Sequence, residues 1–277
     1  MTNKALEKMR HHHGLIQSTK GGWRIGEAVY NHGFNMLEEL VGEVSYFQLV
    51  LLNVTGELKS KQLCDWLEAS YICMSWPDPR IWCNYIGALS GASRTTPAAG
   101  ILAGTLASDS KMYGPGSLPN CMKFLKGLKS NLSSGMNFEE VIRLNRDSND
   151  GKINIPGFSR PIAKGDERVG AMQRVGKNLG FTKGSFEILA LEFETHLKNN
   201  HDESINIGGY TSAFLLDQGF TPETVYEFTS TRVTAGVQAC YSEYANKAKA
   251  DFLPLSIEDI AYTGQPVRQL PTKKALK

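Results

Sequence analysis

The chain has 277 residues, 41% of them apolar, which is enough for a sizeable core and for two lobes. Its 30 basic and 28 acidic residues leave a net charge of +2, so charge gives no reason to invoke nucleic acid or a membrane surface. The longest apolar stretch, residues 46–54, is far short of the ~20 residues that cross a bilayer. The first ten residues lack the apolar segment of a secretory signal. Five cysteines without paired close spacing (Cys64, Cys73, Cys83, Cys121, Cys240) suggest reduced thiols in a cytoplasmic protein, with no disulfide framework and no zinc site.

In chain order, residues 34–40 suit a short amphipathic helix after the turn signal His32-Gly33. Residues 45–54 read as a buried helix, closed by a turn at Thr55-Gly56-Glu57-Leu58. Ser60 caps a helix over 61–74, with Leu63, Trp66, Leu67 and Tyr71 at helical spacing, and Trp76-Pro77-Asp78-Pro79 stops it. Residues 85–107 are rich in Ala, Gly, Ser and Thr and are expected to form the most buried helical pair. A helix over 137–146 carries Glu139 and Glu140, and 145–152 is a polar, hinge-like loop. Helices are predicted over 167–179 and 185–198, and over an apolar segment from 206 to 216. Thr221-Pro222 is a capping sequence, and 225–249 reads as one long helix before a Pro-punctuated tail from Phe252. Strand signals are few, there is no internal repeat, and the predicted class is all-α.

The segment from Ile153 to Arg168 resembles the thioester-binding loop of citrate synthases and citryl-CoA lyases: Pro156, Gly157, Phe158, Pro161, Asp166 and Arg168 fit the pattern Pro-Gly-(aromatic)-Gly-His-(Pro/Ala) followed by Asp-Pro-Arg. The histidine slot holds Arg160, and Glu167 replaces the second Pro. Six further segments are similar to the same family in the same order: 22–40, 52–60, 90–117 ending in Tyr113-Gly-Pro-Gly-Ser117, Ile205-Asn-Ile-Gly-Gly209, Phe228-Thr-Ser-Thr-Arg232 and 261–268. The resemblance implies the all-α citrate synthase fold. A large helical domain would comprise 1–117 plus 227–277, and a smaller inserted domain, 118–226, would bind coenzyme A. It also implies a homodimer.

That family joins an acyl-CoA to a 2-oxo acid or reverses the reaction. It uses an Asp as base, one His to stabilise the enolate, a second His to polarise the oxo-acid carbonyl, and arginines to clamp carboxylates. Carried over by position, the base falls at Gly208, the second His at Arg160 and the first His near Gly116-Ser117. None of the six histidines (His11, His12, His13, His32, His196, His201) lies in these motifs. The binding positions are better kept. Arg168 and Arg232 match carboxylate-binding arginines. Pro156, Gly157, Phe158 and Ser159 match the loop backbone that cradles adenine, and Lys164 matches a base that meets CoA phosphates. A partner-subunit arginine expected near Leu253-Pro254 is missing.

Plainer roles compete at each position. Arg160 can pair with Asp166 or Glu167 as readily as with a ligand. Arg168 and Arg232 can form structural ion pairs, although two arginines in matching positions favour a carboxylate site. Ser117 fits a turn or cap better than a nucleophile. Asp78 fits a helix stop better than a substitute acid, and His11-His-His13 fits a solvated segment better than a metal site. Trp76 and Trp82 suit anchors in a core or interface. Residues 88–107 suit tight helix packing, since they lack the Gly-Lys-Ser/Thr of a phosphate loop.

Two functions follow. The first is an acyltransferase or lyase of altered chemistry. It takes an acyl-CoA and a small carboxylate as substrates, holds no permanent cofactor or metal, and generates its enolate by decarboxylating a malonyl-type thioester steered by Arg160. The second is a non-catalytic paralogue that binds a ligand or a protein partner. The retained Arg168, Arg232 and Lys164 favour the first.

Overall fold

The computed structural model describes residues 3–11, 13–14, 17–110, 113–149, 151–159, 165–248 and 261–270. Arg160, Pro161 and Lys164, the cationic part of the predicted CoA loop, lie outside the described residues, as do His12 and Leu253-Pro254.

Capping side chains set most helix starts. After α1 (Asn3–His11), Ser45 and Gln48 form a reciprocal capping box that opens α2 (Tyr46–Thr55), and Gly56 closes it in the left-handed conformation (φ 79°). Ser60 caps α3 (Lys61–Cys73). Two helices made of small residues follow, α4 (Trp82–Ala92) and α5 (Pro97–Ala107), the latter capped by Thr96 with Pro97 in its first turn. Then come α6 (Ser117–Ser133), α7 (Phe138–Asp147) with its Asn137–Glu140 capping box, α8 (Glu167–Asn178) capped by Asp166, and α9 (Ser185–His201). Asn206 caps α10 (Ile207–Asp217), Thr221 caps α11 (Pro222–Thr229), and α12 (Thr234–Asn246) follows. The all-α class therefore stands.

Several expectations need correction. Residues 34–40 form no α-helix. Phe34–Asn35 is strand β3, paired with β2 (Ala28–Asn31), which pairs in turn with β1 (Gly21–Arg24), all antiparallel. Met36–Leu40 then makes a single π-turn, held by the Asn35 side chain. The 17-residue α6 was not anticipated, because Pro119 and Gly127 masked an apolar stripe of Leu118, Cys121, Met122, Leu125 and Leu128. Helix 225–249 is broken at residues 230–233. The hinge-like loop begins later than expected, because α7 runs through Asp147.

The main core joins α2 and α3 to α6–α11. Trp66 stacks flat on Phe214 (3.8 Å, 10°), and Phe158 packs edge-on to Phe193 (5.1 Å). Every residue of α10 from Ile207 to Leu216 is buried, which makes α10 the most buried helix. The predicted holder of that place, the α4–α5 pair, has a different role. Its glycines let α12 approach closely: a Cβ at Gly104 would lie 2.5 Å from Val237, and one at Gly91 would run into the Tyr241 carbonyl. The outer face of the pair is open, with Leu102 and Leu106 exposed, Leu106 by 75%.

Among the described residues no helix is long and apolar enough to cross a membrane. All five cysteines are free thiols.

Candidate active site

Three helix starts meet in one place. The chain turns tightly at Gly114 (φ 103°), where any Cβ would collide with the Ser108 carbonyl, and delivers Ser117 as the first residue of α6. Asn206 Oδ1 accepts from the backbone N–H of Gly208 (2.8 Å) and Gly209 (3.2 Å) and so fixes the first turn of α10. Asp166 caps α8 through the Arg168 N–H (3.1 Å), and its other carboxylate oxygen accepts from the Ile207 N–H (2.9 Å), tying the start of α8 to that of α10. The starts of α8 and α10 are thus bound to each other, with the first residue of α6 beside Gly208.

The Pro156-Gly157-Phe158 turn locks onto the same place. Gly157 is left-handed (φ 86°), and a Cβ there would stand 2.5 Å from Cys121 Sγ and 2.7 Å from Gly209 Cα. Its carbonyl accepts from the Asn206 N–H (2.9 Å), and the Ser159 carbonyl accepts from Asn206 Nδ2 (2.6 Å). Phe158 is buried in the core against Phe124 and Phe193. The side chain of the predicted aromatic therefore anchors the loop, and the backbone of Pro156, Gly157 and Ser159 is what faces α10. The buried thiol beneath, Cys121, is pushed up to about 12 by desolvation and is no nucleophile.

Ser117 and Gly208, two positions that the family resemblance marks as catalytic, are neighbours. A Cβ on Gly208 would lie 3.8 Å from Ser117 Oγ. The Ser117 hydroxyl donates to the Gly114 carbonyl (2.7 Å), and among the described residues no histidine or carboxylate bonds to it. It closes a turn, and no base is placed to activate it. Gly208 is not left-handed, so its backbone does not demand glycine. Gly209 is different: a Cβ there would run into the Gly157 carbonyl.

The arginines form the other half. Arg168 holds Asp166 bidentately, Nε to Oδ1 at 2.8 Å and Nη2 to Oδ2 at 2.7 Å. Its remaining nitrogen points at Met74 Sδ (3.4 Å), and its guanidinium lies 5.5 Å from the Trp76 ring. Burial works to raise the Asp166 carboxyl, but the Arg168 guanidinium and the Ile207 and Arg168 N–H groups outweigh it and hold the acid below its usual range. Arg232, on the link between α11 and α12, is only 5% exposed. Among the described residues its side chain makes a single, long hydrogen bond, Nη1 to Ser70 Oγ at 3.5 Å, and no carboxylate pairs with it. Desolvation lowers it to about 10, with the nearby Arg168 charge acting the same way and Tyr71 opposing. Asp166 thus pairs with Arg168, and among the described residues the buried guanidinium of Arg232 has no carboxylate.

Sequence reasoning named Ser117, Gly208, Arg168 and Arg232, and the fold brings the first two together and the last two together. It missed Asp166 as the link between the halves. It also missed Ser70 and Tyr71 beside Arg232, which sit at core-like spacing on α3 and carry no motif.

No family model matches the chain, and no curated protein does. Solved structures do match. Citryl-CoA lyase from Hydrogenobacter thermophilus is 23% identical over 95% of this chain and all of its own, with a TM-score of 0.74. ATP citrate lyase from Methanothrix soehngenii, determined with citrate and coenzyme A, is 14% identical over all of this chain (TM-score 0.72), which spans 46% of its length. Citrate synthase from Thermotoga maritima is 17% identical over 82% of this chain and 60% of its own, with a TM-score of 0.64. The fold is the one shared by citrate synthases and citryl-CoA lyases.

Proposed function

We propose that the chain binds an acyl-CoA together with a small carboxylate or 2-oxo acid where α6, α8 and α10 begin, and that its carbon–carbon chemistry differs from standard citrate synthesis. The observation that supports this most is the surplus buried charge of Arg232 beside Arg168. A buried guanidinium without a carboxylate is costly, and a dicarboxylate of the 2-oxo acid type would relieve that cost with bidentate hydrogen bonds. The 118–226 segment would act as the CoA-binding domain, with the backbone of the Pro156–Ser159 turn cradling the adenine, Lys164 meeting the CoA phosphates and Arg160 polarising a carbonyl or holding a carboxylate. Structures with this fold have been determined with citrate and coenzyme A, and with carboxymethyl coenzyme A and oxaloacetate.

The missing acid–base groups define the altered chemistry. Gly208 offers no base, and Ser117 is engaged locally. General acid–base groups and oxyanion donors contribute ~10²–10⁴-fold each, so deprotonation of acetyl-CoA here would be very slow. A malonyl-type thioester avoids the base, because loss of CO₂ leaves the enolate directly, with Arg160 to steer the departing carboxylate.

Calorimetric titration with acetyl-CoA or malonyl-CoA, with and without oxaloacetate, tests the binding. Acyl-CoA affinity is expected to tighten in the presence of the oxo acid, and no heat with either ligand would sink the reading. Release of free CoA from malonyl-CoA across a panel of 2-oxo acids tests the chemistry. Binding without CoA release would favour the second reading, a non-catalytic paralogue, for which the vacant Gly208 position speaks.

The exposed face of α5 suits a second copy of the chain, in keeping with the implied homodimer. Leu106→Glu is expected to shift sedimentation from dimer to monomer, and a wild-type chain that sediments as monomer refutes the assignment.

A further inference from the structure

We propose that Glu139, His196 and His201 form a binding site for a divalent transition-metal ion of the zinc class, independent of the cleft described above. Glu139 lies in the first turn of α7 and the two histidines near the end of α9. His196 Nε2 is 2.7 Å and His201 Nε2 2.8 Å from the same oxygen, Glu139 Oε1. Three ligand atoms of the types that zinc prefers thus converge within 4.8 Å. In a tetrahedral zinc site, ligand atoms ~2.0–2.2 Å from the ion stand roughly 3.3–3.5 Å apart, so each histidine–carboxylate pair needs to open by less than about 1 Å, and the two histidine nitrogens already lie within 4.8 Å of each other. The set is held in place: the Phe138 ring packs 5.4 Å from His196, and His201 is largely buried. Three protein ligands leave a fourth position for water or a small ligand.

Arg146 decides how readily this site loads. Its Nη2 lies 3.1 Å from His201 Nδ1. A guanidinium can only donate, so Nδ1 is the acceptor and the imidazole proton sits on Nε2, aimed at Glu139. Metal on Nε2 requires the opposite tautomer. The proton moves through water from Nε2 to Nδ1, no net proton is released from a neutral ring, and Arg146 must turn away. Metal-bound histidines ordinarily donate their second N–H to an acceptor. Arg146 therefore opposes the ion twice, by its charge and by the sense of its hydrogen bond. It acts as a latch that holds Glu139 and the histidines together until an ion displaces it.

The test is titration of the full chain with Co²⁺, followed by its visible absorption, and then displacement by Zn²⁺. It is run with His11, His12 and His13 changed to alanine, so that the N-terminal histidines cannot contribute. One Co²⁺ per chain is expected. His196→Ala and Glu139→Gln are each expected to weaken binding at least ~10-fold with unchanged helical circular dichroism. Arg146→Gln removes the charge and supplies an acceptor, and is expected to tighten binding, a gain that misfolding cannot mimic. The proposal is overturned if no saturable binding appears in either the parent or Arg146→Gln, or if affinity is the same in His196→Ala and Glu139→Gln as in the parent.

Discussion

The two halves of the candidate site differ in what they hold. The half built from Asp166, Arg168 and Arg232 keeps its charges, buries them and ties them to the backbone. The half built from Ser117 and Gly208 has no group able to move a proton, although the two positions still face each other. Holding an anion needs only fixed charge, which a helical scaffold supplies through caps and buried arginines. Moving a proton needs a titratable group at one atom, which one substitution removes without disturbing the scaffold. Fixed charge and proton transfer thus place different demands on the same scaffold.

Removing the link between the halves is expected to have the largest effect. The Asp166 side chain is fully buried and that of Arg168 is 18% exposed. Asp166→Asn leaves a guanidinium without its carboxylate, at a cost of ~3–5 kcal/mol in urea denaturation. The sign with pH follows from the depressed acid. Asp166 is held below its unfolded value, so its stabilisation is present above the ordinary carboxylate range and is lost as pH falls through its folded pKa. Wild type is expected to lose stability on acidification below about pH 4 more steeply than Asp166→Asn, and parallel acid limbs would break the assignment.

Arg232 separates recognition from stability. Its burial without a described carboxylate makes it a burden on the ligand-free fold. Arg232→Met is expected to leave the melting temperature unchanged or raise it, while weakening 2-oxo acid binding ~10²-fold in calorimetry. A variant that melts much lower and binds normally would make Arg232 a structural residue and remove the main support for a carboxylate site.

Most helices were legible in the sequence because their caps are local. Ser60, Asn137, Asn206 and Thr221 each announce a start that depends only on the next three residues. Arg168 and Arg232 were picked out by resemblance of their segments to family motifs, and the fold places both beside α3. What escaped depends on residues far apart in the chain. The most buried helix turned out to be α10, because burial is decided by which elements surround a helix. The small residues of α4 and α5 report close approach on one side only, to α12, and say nothing of the exposed Leu102 and Leu106 on the other. In the Glu139–His196–His201 cluster the two histidines keep a His-x4-His spacing that zinc sites use, but Glu139 stands 57 and 62 residues away from them in the chain.

The adjacent glycines of α10 carry the same contrast at its finest scale. Gly209→Ala forces a methyl against the Gly157 carbonyl, a backbone atom that cannot step aside, and is expected to cost ~1–3 kcal/mol or more. Gly208→Ala is tight only against the Asn206 amide oxygen at 3.0 Å, its contacts with Ser117 and Leu118 being ordinary, and it gains ~1 kcal/mol of helix propensity, so its net effect is expected to stay within ~1 kcal/mol of zero. If both held, glycine would be required at 209 by packing, while at 208 it would be tolerated yet chemically disabling. Gly208→Asp then becomes informative. It puts a carboxylate in the first turn of α10, where the helix field favours it, directed at Ser117. The variant is expected to exchange the methyl protons of bound acetyl-CoA with deuterium, by NMR, ~10²-fold faster than wild type, the scale of a single general base. A folded Gly208→Asp chain that binds acetyl-CoA without faster exchange would mean that the cleft has lost its means of stabilising the enolate as well as its base. The emptied half would then be more than one residue away from the family's chemistry.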